Sequence, residues 1–438
     1  MRVFIECTHT YFCGGPDGIP HVARGLASVC RKVGLEAGIE CQPVVFVGQR
    51  VYTVDAVKAR KNLAVFARQK RVEIRNAFNA FWGPHLSNSE SGASAPSGIP
   101  PAPSALKAVL TALEKGRLAI DMARVVASGK RVSFNQGDTL FLLDSDWKPS
   151  FEEAVRSAKK NGAKVGFLLC DLIPLSKPEY VEASFLERFK NWLKHMIEIS
   201  DFCLTISETS RKEIKAYLSQ CPGQEMRQFK TASFRLGAGL PATGNDSQVR
   251  AAIRKIFELD GAARPYICVS TLQDRKNQRL LLDAFEILWA KGIAARLCLI
   301  GQVGWKADAL VERIVRHPRW RRELFMFNDL LDRDIAFCYR NAKALLFPSF
   351  AEGFGLPIVE ALGAGLPVFA SDIPVHREIA GEWCVFFNPK SAEGLANLIE
   401  NFERNAQLAQ ARPVSEFNWP DWSGSCRELL DQTRACAL

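Results

Sequence analysis

The residues best suited to chemistry stand together in one run, Phe347-Pro-Ser-Phe-Ala-Glu-Gly-Phe-Gly-Leu-Pro-Ile-Val-Glu-Ala-Leu-Gly. An apolar strand is predicted to end at Phe347-Pro348. A loop then carries Glu352-Gly353-Phe354-Gly355, and a helix is predicted from Pro357, a residue favoured in a first turn. Gly353 and Gly355 have no side chain, so backbone there can approach a ligand closely. The free N–H groups and partial positive charge of a helix start suit a diphosphate. Glu352 and Glu360 can face one cleft, and carboxylates accept paired hydrogen bonds from the vicinal hydroxyls of a sugar or ribose. The same spacing also fits a plain turn leading into a helix whose start Glu360 favours.

Other candidates lie outside that run. Arg275-Lys276 offers two adjacent cations at a strand-to-helix turn, for an anion or for solvent. Asp144-Ser-Asp146 imitates a DxD metal motif but stands far in sequence from the glutamates, and is predicted to be a strand-end turn. The six histidines show no HxxxH or HExxH spacing, so no metal site is predicted. His9 and His21 flank a Gly-rich stretch, where they can touch an acceptor or serve packing.

The elements that must position these groups read as a βα alternation. Apolar runs at 3–7, 42–47, 140–143, 164–169 and 202–206 are predicted strands, with helices at 19–33, 151–161 and 185–199 between them. Residues 238–264 read as a linker. The rhythm restarts with strands at 266–270, 296–300, 324–327, 344–347 and 368–370 and helices at 277–291, 334–341 and 357–363. Short apolar strands between helices predict an α/β protein with parallel sheets. Two Rossmann-like halves facing one another leave a cleft, with ligands at the carboxyl ends of the strands. Residues 1–240 form the predicted first domain, with a mobile Ser-, Pro- and Gly-rich insertion at 84–104, and residues 241–416 form the second. Residues 105–127 are predicted helical. The run 58–75 holds seven basic residues against one acid, Glu73, and reads either as a solvated helix face or as a contact for an anionic membrane or acceptor.

The sequence resembles the retaining GT-B glycosyltransferases of family four. The Glu352-Gly-Phe-Gly…Glu360 segment carries that family's signature, two glutamates separated by seven residues. Ser270-Thr-Leu-Gln-Asp-Arg-Lys-Asn277, Leu299-Ile-Gly301, Tyr339-Arg-Asn-Ala342 and Gly365-Leu-Pro-Val extend the resemblance through the second domain. In the first domain it rests on Gly18-Ile-Pro, Gly137-Asp138, Asp171-Leu-Ile-Pro-Leu and Ile206-Ser-Glu-Thr-Ser-Arg. The resemblance implies that residues 417–438, with Trp419 and Trp422, cross back onto the first domain. It implies that Glu360 holds the donor ribose and Glu352 the transferred sugar. Backbone N–H groups of Gly353, Phe354, Gly355 and Leu356 would bind sugar and phosphate, and Lys276, helped by Arg275, would neutralise the diphosphate. Gly18, Asn277 and Gly301 join these as donor-binding positions, and the base would lie near residues 326–330. Two departures stand out: Ser270 replaces an arginine common in relatives, and Cys170 replaces a histidine. Asp171 then becomes the candidate acceptor-side catalytic residue, a turn cap before Pro174 being the alternative.

The implied reaction is retaining, metal-independent transfer of a sugar, mannose or rhamnose favoured, from a nucleotide diphosphate to a glycan or lipid-linked glycan in surface polysaccharide assembly. No cofactor is implied. A nucleotide-sugar-binding protein of this fold without transfer activity, or a sugar-nucleotide epimerase, is the alternative. The net charge of +10 comes without nucleic-acid motifs. Thirteen cysteines with no CxxC pair suit buried thiols in a reducing cytoplasm, with the basic run allowing attachment at the inner membrane face. Met1-Arg-Val-Phe-Ile-Glu6 reads as a first strand rather than a leader. Oligomeric state is left open.

Overall fold

Val3, Ile5, Leu140 and Phe141 are shielded from water on both sheet faces, as central parallel strands require. In the computed structural model, residues 1–13, 18–55, 57, 104–144, 151–221, 229–239, 246–257, 264–405 and 414–438 are described, the stretch 104–114 by its backbone only. The basic run 58–75, the insertion to residue 103, residues 14–17, Asp146 and residues 240–245 of the linker lie outside the described residues.

The first domain is one sheet in the order β3-β2-β1-β4-β5-β6-β7. Its strands are β1 (Arg2–Glu6), β2 (Glu40–Val47), β3 (Arg50–Thr53), β4 (Thr139–Leu142), β5 (Lys164–Leu169), β6 (Phe202–Thr205) and β7 (Lys230–Ser233). All neighbours run parallel except β2 and β3, an antiparallel hairpin joined at Gly48 (φ 60°). The second domain orders its strands β10-β9-β8-β11-β12-β13, all parallel. These are β8 (Tyr266–Val269), β9 (Leu297–Ile300), β10 (Leu324–Phe327), β11 (Ala344–Phe347), β12 (Val368–Ser371) and β13 (Cys384–Phe387). That order is doubly wound, and its topological switch point falls between β8 and β11. The first domain switches between β1 and β4 in the same way.

Every strand predicted from an apolar run is present within a residue or two. Three were not predicted. β3 and β13 are four-residue edge strands, and β7 (Lys-Thr-Ala-Ser) has no apolar run.

The last helix, Trp422–Ala437, packs on helix Ile19–Glu36 and on β6 and β7 of the first domain. Its anchor is Trp422. A methyl group added at Gly25 would lie 2.4 Å from the indole, and one at Gly239 would lie 2.7 Å away. Both glycines are there because the indole takes their side-chain space. The helix starts on Asp421, whose Oδ1 accepts from Gly424 N–H at 2.8 Å. One hydrophobic cluster joins Leu26, Leu236, Leu429 and Ile358, so the two domains and the crossing helix share apolar packing.

Candidate functional site

The loops after β8 and β11 meet at the switch point of the second domain. β8 gives way at Ser270 to a short turn, Asp274–Lys276, and then to helix Gln278–Ala290. β11 gives way to Pro348–Gly355 and then to helix Leu356–Gly363, which starts one residue before the predicted position and holds Pro357 in its first turn. The N-cap is Gly355 at φ 132°, a conformation L side chains rarely adopt.

Glu352 is held between both cations. Lys276 Nζ donates to Oε1 at 2.5 Å and Arg275 Nη1 donates to Oε2 at 3.0 Å; Arg275 also donates to the Ala351 carbonyl. The three side chains are 8%, 15% and 20% exposed for Glu352, Lys276 and Arg275. Burial by itself would raise the Glu352 pKa, but Lys276 and then Arg275 outweigh it and hold the carboxyl well below its usual range. Burial pulls the Lys276 ammonium down, opposed by Glu352. The Arg275 guanidinium is raised: burial opposes this, while Glu352 and Asp171 drive it. Two cations against one carboxylate leave this cluster one positive charge in excess.

Glu360 lies one turn into the helix, where the Tyr339 hydroxyl donates to its Oε2 at 3.0 Å. Burial, and then the neighbouring Glu360, push the Tyr339 pKa up, so the phenol stays a donor. Tyr339 had been read only as part of a motif; its role as a brace for Glu360 is visible only in three dimensions.

Several expected positions turn out to do structural work. Asn277 adopts a left-handed conformation (φ 56°), and its Nδ2 donates to the carbonyls of Pro348 (3.1 Å) and Pro389 (2.8 Å). Through that amide nitrogen Asn277 staples two loops. Gly301 is pressed on the other strand of its pair, and a methyl group there would lie 2.0 Å from the Ser270 carbonyl oxygen. The close approach of that carbonyl calls for glycine at this position. Gly353 meets the first domain, where a methyl group would lie 2.6 Å from the Cys170 carbonyl oxygen. The Phe354 ring is buried against Trp419, centroids 6.0 Å apart. Leu356 is half-buried at the helix start. Gly18 caps helix Ile19–Glu36 at φ 67° with open space around it, so backbone conformation alone calls for glycine there.

Asp171 stands across the domain boundary from this cluster. Its Oδ1 accepts from Ile173 N–H at 3.0 Å, the turn cap weighed as its alternative role. Burial raises its pKa, and Arg275, Glu352 and Lys276 all act on it electrostatically. Burial also raises the Cys170 thiol, which stays neutral in place of a titrating imidazole. Ser270 Oγ accepts from Gln278 Nε2 at 2.9 Å, a neutral arrangement. Asp144 is buried and accepts from Thr10 N–H (2.7 Å) and Thr10 Oγ1 (2.6 Å), which fits a strand-end tie. No metal-binding cluster of His, Cys, Asp or Glu is present among the described residues. His9 is exposed, and the His21 ring packs against Trp422 at 5.6 Å, so packing is the better reading of His21.

The contacts that lock the domains together were missed from sequence. Glu378 in helix Pro374–Ala380 accepts from the N–H groups of Glu208 (2.6 Å) and Thr209 (2.8 Å), capping helix Glu208–Gln220 of the other domain. Ser207 Oγ donates to the Gly353 carbonyl at 2.9 Å. The signal lay in Ile206-Ser-Glu-Thr-Ser, a capping sequence whose partner is about 170 residues away.

Residues 249–412 match the family described as glycosyl transferases group 1. Residues 249–412 are thus a glycosyl transferases group 1 domain. It is 31% identical over 313 residues to the serotype-specific mannosyltransferase WbdA of Escherichia coli, covering 68% of this chain and 37% of that protein. To the O-antigen chain mannosyltransferase RfbU of Salmonella typhimurium it is 38% identical over 245 residues, 55% of this chain and 61% of RfbU. The chain thus spans little more than a third of the WbdA proteins it matches. Among solved structures it resembles HepE of Anabaena in complex with UDP and glucose (TM-score 0.52, 15% identity, 99% and 95% covered). It also resembles sucrose-phosphate synthase of Thermosynechococcus elongatus (TM-score 0.55, 14% identity, 100% and 96% covered). The fold is GT-B, two Rossmann-like domains on either side of a cleft, with the group 1 match falling in the second.

Proposed function

We propose that this group 1 protein is a retaining glycosyltransferase that moves mannose from a nucleotide diphosphate, GDP favoured over a rhamnose donor, to a glycan in surface polysaccharide assembly. The observation that carries the reading is the Lys276–Glu352–Arg275 cluster beside the start of helix Leu356–Gly363. A departing diphosphate develops charge at the bond that breaks, and buried cations with a helix start stabilise that charge more in the transition state than in the ground state. Lys276 and Arg275 serve this without a metal. In the empty site they neutralise Glu352; an arriving diphosphate takes over part of that pairing and releases carboxylate oxygens to the sugar hydroxyls. Glu360, braced by Tyr339, holds the ribose. The C1–O bond to phosphate breaks, the acceptor oxygen attacks C1 from the same face, and the leaving phosphate oxygen takes the acceptor proton. The mannosyltransferases WbdA and RfbU support mannose and an O-antigen-type acceptor, free or lipid-linked. Among the described residues no helix is long and apolar enough to cross a membrane. Action at the cytoplasmic face, with the basic run 58–75 toward anionic lipid, fits the reading.

The test is GDP release from GDP-mannose with and without short mannan acceptors. Release that rises with acceptor and yields an α-linked product is expected. Glu360→Ala should raise the donor KM at least tenfold. Tight donor binding without release under any acceptor would mark a binding protein instead.

A further inference from the structure

One short helix, Pro374–Ala380, touches both the loop that carries Glu352 and the other domain. Two of its side chains lie against the end of that loop. A methyl group added at Gly355 would lie 3.0 Å from Ile379 and 3.6 Å from His376. Glu378, on the same helix, crosses to the first domain. Its carboxylate accepts from the N–H groups of Glu208 and Thr209 and from Thr209 Oγ1 at 2.5 Å. Three donors from one turn converge on a negative charge, which a helix start favours. The carboxylate of Glu208 does not compete, because it is turned to Arg211 (2.5 Å) and to Ser233 Oγ (3.1 Å).

The turn that Glu378 grips holds two loops in its own right. Ser207 Oγ donates to the Gly353 carbonyl at 2.9 Å, and Ser210 Oγ donates to the Cys170 carbonyl at 3.0 Å. Gly353 follows Glu352, and Cys170 precedes Asp171. The Ser207–Ser210 turn therefore ties together the two loops whose carboxylates act on one another across the cleft. Burial divides the labour. Ser207 and Ser210 are buried, whereas Glu378 is exposed. When the cleft opens, the Glu378 carboxylate and its donors pass to water, so this contact releases at small net cost. An exposed carboxylate on a helix start suits a clasp that forms and breaks with each closure.

We propose that Glu378 is a positioning residue: by clasping the Ser207–Ser210 turn it sets Asp171 against the Glu352 loop and couples that loop to closure of the cleft. Glu378 itself stays outside the Glu352 cluster. Its part in transfer rests on the transfer reading above; its hold on the two loops does not.

Hydrogen exchange read by mass spectrometry on the full chain tests that hold without any substrate, comparing wild type, Glu378→Ala and Glu378→Gln. Glu378→Ala frees two N–H groups, so exchange should quicken in residues 206–212. It should quicken in residues 170–176 and 350–356 as well, which lie beyond the hydrogen bonds of Glu378, by about fivefold, the worth of one net hydrogen bond. A melting transition as sharp as that of the wild type shows that the variant folds. In the transfer assay kcat should fall about fivefold on the same grounds, with GDP affinity within twofold. Glu378→Gln keeps one acceptor oxygen and should fall between the two. A merely structural loss would lower GDP affinity along with kcat. Quickened exchange confined to residues 206–212, or an unchanged kcat in Glu378→Ala, overturns the proposal. A wild-type chain that neither binds GDP nor transfers mannose, while exchange still spreads to both loops in the variant, overturns the transfer reading and leaves the hold of Glu378 standing.

Discussion

At the C-terminal ends of β8 and β11, Lys276 and Arg275 close on Glu352 with one positive charge to spare. At the equivalent ends of β1 and β4, the buried carboxylates Glu6 and Asp144 are satisfied by Thr8 N–H (2.6 Å) and by Thr10 N–H and Oγ1. The two switch points have one topology and opposite electrostatics. A doubly wound sheet supplies a crevice at each switch point, but only the charges on its loops decide what is held there. The second domain gathers its cations around one carboxylate. The first spends its carboxylates on its own backbone.

The sharpest way to break that contrast is to remove one cation. Lys276→Ala leaves Glu352 paired with Arg275, so the loop keeps its shape, while a buried donor to developing charge is gone. We expect kcat to fall by about 10²–10³, the usual effect of losing one such donor, with little change in melting temperature. Wild-type kcat in this variant would remove the cluster from the reaction. The counterpart in the first domain is Asp144→Ala. It strands a buried N–H and a hydroxyl of Thr10, which costs about 1–3 kcal/mol. Chemical denaturation should register that loss while kcat stays within a few fold; the reverse pattern would mean the first switch point takes part in chemistry.

A pH experiment sharpens the contrast further. His376 is fully buried beside Phe347 and below Gly355, with Nδ1 against the Ser371 carbonyl at 2.9 Å. Burial lowers its pKa to about 4, with Glu352 and the Ser371 carbonyl opposing and Lys276 adding to the fall. The folded chain therefore binds fewer protons than the unfolded one between about pH 6.5 and pH 4, and stability drops as pH falls through that window. Between pH 7 and pH 5 the loss is about 2 kcal/mol from this residue. Glu352, held below its usual range, begins to lose its contribution only as pH falls below about 5, so it does not mask the effect between pH 7 and pH 5. His376→Gln should flatten the stability profile between pH 7 and pH 5 by about that amount in urea titrations. An unchanged slope would show that the acid sensitivity comes from elsewhere.

What could be read in advance followed from chain locality. The Glu352–Glu360 segment is a strand, a loop and a helix start in immediate succession, so spacing and turn chemistry reveal it without tertiary contacts. Most strands were legible because buried parallel strands are short apolar runs. β7 was not, because Lys230, Thr231, Ala232 and Ser233 are nowhere fully buried. Glycines were legible only in part. Gly301 makes room for the Ser270 carbonyl and Gly353 for the Cys170 carbonyl. A missing side chain shows that something comes close, and only the fold says what. The contacts of Asn277 were not legible either, because its amide nitrogen reaches the carbonyls of Pro348 and Pro389, both distant in sequence.

The smallest expected effect probes how the second domain holds the neutral half of its ligand. Tyr339 is fully buried, and its hydroxyl gives Glu360 a hydrogen bond at 3.0 Å from below the helix. If Glu360 binds a ribose, that bond fixes which carboxylate rotamer meets the hydroxyls before the donor arrives. Tyr339→Phe removes one oxygen, keeps the ring in its packing, and leaves the charge of Glu360 in place. The loss should be near the worth of one hydrogen bond to a charged group, about 1.5–3 kcal/mol at most, and nearer 1 kcal/mol if water refills the gap. The lower figure is a rise of about fivefold in donor KM. kcat should hold, because the ribose contact is equal in ground and transition states. A fall in kcat at constant KM would place Glu360 at the reacting centre and move the ribose elsewhere along the cleft.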